Sequence, residues 1–142
     1  MNKQESVNDP IFGRMEYDHS WSKKQAVNWW GEQEVLVEIT AQAYNGDDIT
    51  DLQRESYVEY SGNINNLSLK SKEKLCDFAK IFYDKEYSGT EITNILKPRT
   101  VLFHRDGTWG ILFDSEYDIE NGVALYKNKH GEIIVGTQDD FL

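Results

Sequence analysis

Two turn dipeptides, Asp106-Gly107 and Asn121-Gly122, bracket a run in which Asp114, Glu116, Asp118 and Glu120 fall on every second residue. Each dipeptide supplies residues that tolerate positive φ, as a two-residue hairpin turn of type I′ requires. Around them lie "TVLFHR", "TWGILFDSEYD" and "VALYKN", all rich in β-branched and aromatic residues. Such a segment does not run as helix. It predicts a meander with strands over 100–105, 108–118, 123–128 and 133–137, the last two joined through "KHGE" (129–132).

The N-terminal third has the same grammar. "IFGRMEYD" (11–18) follows Pro10, which disfavours helix in the residue before it, and "KKQAVNWW" (23–30) is closed by Gly31. In "EVLVEITAQAY" (34–44), Val35, Val37, Ile39, Ala41 and Ala43 share one face while Glu34, Glu38, Thr40 and Gln42 share the other. That alternation predicts one buried and one wet face.

Between the two strand regions the period changes. "DITDLQRESYVEYSGN" predicts a helix with Thr50 or Asp51 near its N-cap and Gly62-Asn63 at its end. A second helix is predicted around 69–86, where Leu75, Phe78, Ala79 and Phe82 stand at i, i+3, i+4 and i+7. "SGTEITNILKP" predicts a turn and a short helical piece ended by Pro98. The resulting class is α+β: a βββ-αα-ββββ order, antiparallel meanders at both ends, and two helices packed on one side of the sheet. Residues 1–142 form a single domain without linkers. At 142 residues, with 39% hydrophobic and 13% aromatic content, the chain can bury one real core.

Charge narrows the function. The chain carries 25 acidic and 15 basic residues, net −10, distributed unevenly. Glu32 to Glu59 holds eight acids against one base, and Asp106 to Leu142 holds eight acids against two lysines. Nucleic-acid and anionic-membrane binding need a basic footprint, so both are disfavoured. A cationic partner, or simple solubility, remains. No run approaches the roughly 18 apolar residues of a membrane helix. The N-terminus lacks the apolar core of a secretory signal. The single Cys76 cannot form an internal disulfide, so a reducing cytoplasm is the expected compartment.

The usual chemical constellations do not assemble. His19, His104 and His130 lack any metal-ligand spacing, and Cys76 sits beside a helical apolar stripe as a small buried thiol. "GTWG" has neither the glycines nor the context of a phosphate loop. The alternate carboxylates fail the calcium-loop pattern, because Ile119 stands where that loop needs glycine. No catalytic residue, cofactor or metal is therefore expected.

On a strand, Asp114 and Glu116 project from one face, with Asp118 and Glu120 continuing at its end, opposite the more apolar Ile111, Phe113, Ser115 and Tyr117. Alternate residues lie roughly 6.6–7 Å apart, a spacing comparable to that of neighbouring phosphates. The stripe is a docking site for basic groups or a charged edge that prevents aggregation. Asp47 and Asp48 form a possible second contribution. Trp109, directly after a turn, is expected to be at least partly structural, and if exposed it joins the contact set as an anchor.

"DPIFGRMEYD", Trp29-Trp30-Gly31, "ITDLQRESYVEY" and "HRDGTWGILFDSEYDIENGVAL", in that order, resemble an uncharacterised bacterial domain family with DPxFG and late DGTxGxxFDxExDxENG motifs. The resemblance spans nearly the whole chain. Small acidic families of this kind are often immunity proteins of polymorphic or contact-dependent growth-inhibition toxin systems. It implies a cytoplasmic toxin inhibitor that binds a cognate toxin, with an acidic surface meeting a basic, nuclease-like site. A small hydrolase using His104 and a regulatory adaptor without a toxin are the alternatives.

Overall fold

The computed structural model describes residues 6–29, 34–44, 47–82, 84–115 and 122–141. Among them are eight strands: β1 (Ser6–Asp9), β2 (Gly13–Tyr17), β3 (Trp21–Val27), β4 (Val35–Ala41), β5 (Leu96–Phe103), β6 (Trp109–Ser115), β7 (Val123–Lys127) and β8 (Ile133–Thr137). Three helices accompany them: α1 (Asp51–Phe82), α2 (Gly89–Ile95) and α3 (Gln138–Phe141). The class is α+β, as expected. The strands form one sheet in sequence order, β1 to β8, antiparallel everywhere except between β4 and β5. Two meanders are thus joined by a helical crossover that runs from the end of β4 to the start of β5.

The element order corrects the expected βββ-αα-ββββ. The strand anticipated over 11–18 is β2, and it is preceded by β1, a short strand before Pro10 that was not expected. Asp9 Oδ2 accepts from the amides of Ile11 at 3.0 Å and Phe12 at 2.9 Å, folding the chain back on itself around Pro10. Pro10 therefore marks a turn between strands, not the start of one. The two expected helices are a single helix of 32 residues. Its buried positions run Gln53, Tyr57, Tyr60, Ser68, Ser71, Leu75 and Ala79, a stripe at helical spacing that passes straight through Gly62-Asn63. A Cβ on Gly62 would meet nothing, so the stop signal lies on the open side and costs little. Pro98 does not end a helix; it lies inside β5, at a register shift between Pro98 and Thr100. β4 pairs with β5 only from Thr100 onward, so the proline removes no ladder bond on that side.

A continuous core joins Trp21, Val37, Ile39, Ala41, Phe103, Trp109, Ile111 and Phe113 to Tyr57, Tyr60, Leu75 and Phe78 of α1 and Ile92 of α2. A smaller cluster, Leu112, Ala124 and Phe141 with Leu102 and Tyr126, covers part of the opposite face. β6 is thus buried on both faces from Trp109 to Phe113, where alternation predicted a wet side. A Cβ on Gly110 would lie 2.7 Å from Tyr126 Cβ and 3.0 Å from the Phe141 ring, so only glycine lets that aromatic pair close on the strand.

The start of α1 is fixed by one side chain. Gln53 is fully buried; its Oε1 accepts from Thr50 N at 2.9 Å while Thr50 Oγ1 accepts from Gln53 N at 3.1 Å. This is a reciprocal capping box. Gln53 Nε2 also donates to Gln42 O at 2.8 Å and Phe103 O at 3.0 Å, where β4 and β5 end side by side. One residue later, Arg54 Nε and Nη2 both lie 2.8 Å from Asp9 Oδ1, whose side chain is 2% exposed. The helix is therefore tied to the sheet's middle and to the β1–β2 turn within a single turn of chain.

Two outcomes follow from these ties. Gln53→Leu is expected to destabilise by about 1–3 kcal/mol, through the lost cap and the donor withdrawn from the Gln42 and Phe103 carbonyls. Urea denaturation checks it; a cost below about 0.5 kcal/mol would remove Gln53 from this role. For Asp9, burial works to raise the carboxyl, but the Arg54 guanidinium and the amides of Phe12 and Ile11 outweigh it, and the group is held below its ordinary range. A depressed carboxyl stabilises the fold above its unfolded pKa, and that contribution disappears as pH falls through the folded one. Asp9→Asn is expected to cost about 1–3 kcal/mol at neutral pH, and its gap from the parent protein should shrink on acidification. A gap that is constant with pH would refute the ion-pair account.

Candidate binding groove

The hairpins β5–β6 and β7–β8 close with the same loop. In the first, His104 N donates to Thr108 O at 2.8 Å and Gly107 N to His104 O at 3.1 Å; in the second, Asn128 N donates to Glu132 O at 2.9 Å and Gly131 N to Asn128 O at 3.1 Å. Gly107 alone of the Asp106-Gly107 pair has positive φ, 93°. The turn is therefore a type I turn with a left-handed glycine at its fourth position, not the expected type I′, which needs positive φ twice. Asp106 Oδ1 accepts from Thr108 N at 2.9 Å and Thr108 Oγ1 at 2.6 Å, and Asn128 Oδ1 accepts from His130 N at 2.9 Å and Glu132 N at 3.0 Å. An acceptor side chain organises each loop.

Both loops lie at one end of the sheet. Trp21, Ala41, Phe103, Trp109, Lys127 and Ile133 are register partners in a single row across β3 to β8 at that end. The first half of α1 crosses above, held down by Ser56 Oγ, which lies 2.7 Å from Gly107 O and 2.8 Å from Leu52 O. A groove of about 590 Å³ remains between helix and loops, lined by Leu52, Glu55, Glu59, Asp106, Lys127 and His130 among others. A second pocket, about 280 Å³, continues along α1 and shares Glu59 and Lys127.

Glu59 stands where the two meet. Lys127 Nζ lies 2.8 Å from both of its oxygens, and Trp109 Nε1 donates to Oε1 at 2.9 Å. Burial pushes the Glu59 carboxyl up, but the Lys127 and Trp109 hydrogen bonds outweigh it and hold it below the usual carboxylate range. The groove floor is consequently a neutralised ion pair. Glu55, one helical turn before Glu59 on α1, lines the groove and is exposed. Asp47 and Asp48, in the segment leading into the helix, are exposed as well. The backbone carbonyls of Asp47 and Asp48 accept from Trp21 Nε1 at 2.7 Å and Arg105 Nη1 at 3.1 Å, which fixes that segment against the sheet end.

The other anticipated contact residues are placed differently. Asp114 lies toward the far end of β6, opposite Lys97, and pairs with Arg99 Nε at 3.1 Å while remaining 67% exposed. The fold separates it from Asp47 and Asp48. Glu116, Asp118 and Glu120 lie outside the described residues. Trp109 is 2% exposed and packs edge-on against Tyr60 at 5.7 Å, so it belongs to the core. Sequence reasoning missed Glu59 and Lys127, which stand far apart in the chain and meet only because β7 passes beneath α1.

Catalytic geometry is not assembled around His104. Its ring stacks on Phe141 at 4.4 Å, its Nδ1 lies 3.3 Å from Thr108 Oγ1, and its buried Nε2 has no partner among the described residues. Burial lowers its pKa more than Asp106 raises it. Asp106 bonds Thr108 rather than the imidazole, so hydroxyl, imidazole and carboxylate do not form a relay. Burial, then Asp77 and Glu91, push the Cys76 thiol up, away from the thiolate a nucleophile needs. No group of three or more metal-binding side chains occurs among the described residues, and no described helix is long and apolar enough to cross a membrane.

Compared with known proteins, the chain matches no family model, no curated protein and no solved structure.

Trp109→Ala is expected to destabilise by about 3–5 kcal/mol, since it opens a cavity in the core and strips Glu59 of a donor. Calorimetry reads this directly. A melting point unchanged within about two degrees would return Trp109 to the surface.

Proposed function

We propose that the chain is a cytoplasmic immunity protein that neutralises a cognate bacterial toxin by direct binding, its acidic surface covering a basic, nuclease-like active site. The observation that carries this reading is a set of exposed acids near the start of α1: Asp47 and Asp48 in the segment leading into the helix, and Glu55 on a groove whose own ion pair is already closed. Such a set attracts cationic surfaces, and electrostatic complementarity speeds encounter and secures specificity. The stretch Glu116 to Glu120 adds acid from elsewhere in the sequence, and Asp114 contributes less, because Arg99 already answers it. The bacterial-domain resemblance points the same way. An inhibitor of this kind needs no cofactor and no catalytic residue.

The test is association kinetics with purified cognate toxin. Asp47→Asn with Asp48→Asn is expected to slow association about tenfold at low salt and to flatten its salt dependence, with the melting point unchanged. Glu116→Gln with Asp118→Asn should act in the same direction. Association at the parent rate in both double variants would sink the proposal. Intact binding with increased self-association would instead identify the acids as guards against aggregation.

A hydrolase reading forecasts turnover, whereas the binding reading forecasts none. Ester, phosphodiester and glycoside substrates are expected to show no turnover above buffer. Turnover that vanishes in His104→Ala would establish an enzyme.

A further inference from the structure

We propose that the groove between α1 and the two C-terminal hairpin loops binds a short peptide with both termini free, its ammonium held by Glu55 and its carboxylate by Lys129. The proposal starts from two pairs of opposite charges that share one groove and behave differently. Glu59 of α1 and Lys127 of β7 close on each other at 2.8 Å. Glu55 of α1 and Lys129 of the β7–β8 loop line the same groove and are exposed, yet neither forms an ion pair or a hydrogen bond among the described residues. One pair is closed and the other is held open.

The backbones that carry the open pair are fixed. Ser56, next to Glu55, lies 2.7 Å from Gly107 O. The loop that carries Lys129 is organised by Asn128 Oδ1, which accepts from His130 N at 2.9 Å and Glu132 N at 3.0 Å. Asp106 does not compete for a ligand's ammonium on equal terms, because the Thr108 hydroxyl and amide occupy its Oδ1 and hold the carboxyl below its ordinary range, with Lys129 acting on it only at longer range. A site whose walls are set in advance spends little of its binding energy on ordering.

Charge decides the ligand class. A purely cationic ligand inside the groove would meet Lys127 and Lys129 as well as Glu55, and a purely anionic one would meet Glu55, Glu59 and Asp106. A ligand with one charge of each sign satisfies both walls. The groove, about 590 Å³, falls within the range of roughly 300–1,000 Å³ typical of small-ligand sites. Leu52, one turn before Glu55 and 49% exposed, offers an apolar contact beside the ammonium end. The favoured peptide therefore begins with an apolar residue.

The experiment titrates the full chain with leucylglycine and follows its backbone amide resonances. Shifts are expected at Gly107, Thr108 and residues 128–131, with an affinity on the order of millimolar, as suits charges that remain near water. Acetyl-leucylglycine, which lacks the ammonium, and leucylglycinamide, which lacks the carboxylate, should each bind about tenfold more weakly. Glu55→Gln should abolish the preference over the acetylated peptide and keep the preference over the amide. Lys129→Gln should do the reverse, and both variants should melt with the parent. Equal affinity for the three peptides, tighter binding of leucylglycinamide than of leucylglycine, shifts confined to other parts of the chain, or preferences unchanged in both variants would each overturn the proposal. No toxin enters the measurement, so this site and the inhibitor reading can fail separately.

Discussion

Parallel strands cannot be joined by a tight turn, so the pairing of β4 with β5 obliges the chain to leave the sheet after Ala41 and return at Leu96 through a long crossover. Gln53 is placed at the point of that departure. Its side chain caps α1 and at the same time donates to the carbonyls of Gln42 and Phe103, at the end of the parallel pair. The direction of α1 over the sheet is set there, and Arg54 reinforces it by reaching back to Asp9. Phe12 stacks on Tyr57 at 4.5 Å as a consequence, so the first hairpin is packed by the helix that the second half of the sheet positions.

The groove is a by-product of that geometry. α1 crosses the end of the sheet at which both C-terminal hairpins turn, and Ser56 pins it to Gly107. The charge of Glu59 is consumed locally by Lys127 and Trp109, whereas Glu55, one turn earlier on the same groove, is exposed.

The opposite face of the sheet follows a different logic. Phe141 packs onto Tyr126 at 5.2 Å and onto His104 at 4.4 Å, over a seat kept shallow by Gly110 and Ala124. This cover buries the side of β6 that alternation would leave wet, and only at Asp114 does the strand return to water. It also explains the neutral state favoured by His104, whose Nε2 is enclosed with no acceptor among the described residues.

Much of the architecture was legible in the residues themselves, because it is local. Alternation along Val35 to Ala43 set the buried face of β4, strand formers and turn residues marked out β5 to β8, and the change of period announced the helical crossover. Other features were decided only by contacts between distant segments. The stripe that makes α1 one helix runs through Gln53 and Ser56, polar residues whose burial is tolerable because carbonyls elsewhere in the fold accept their hydrogen bonds, and through Ser71, whose Oγ donates to the Ser68 carbonyl of the same helix. The parallel register of β4 with β5, the second buried face of β6 and the Glu59–Lys127 pair leave no mark on any one segment. Each depends on which surfaces meet after the crossover has closed. Periodicity reports how a segment divides between water and core, and it carries no information about which neighbour the core side will find.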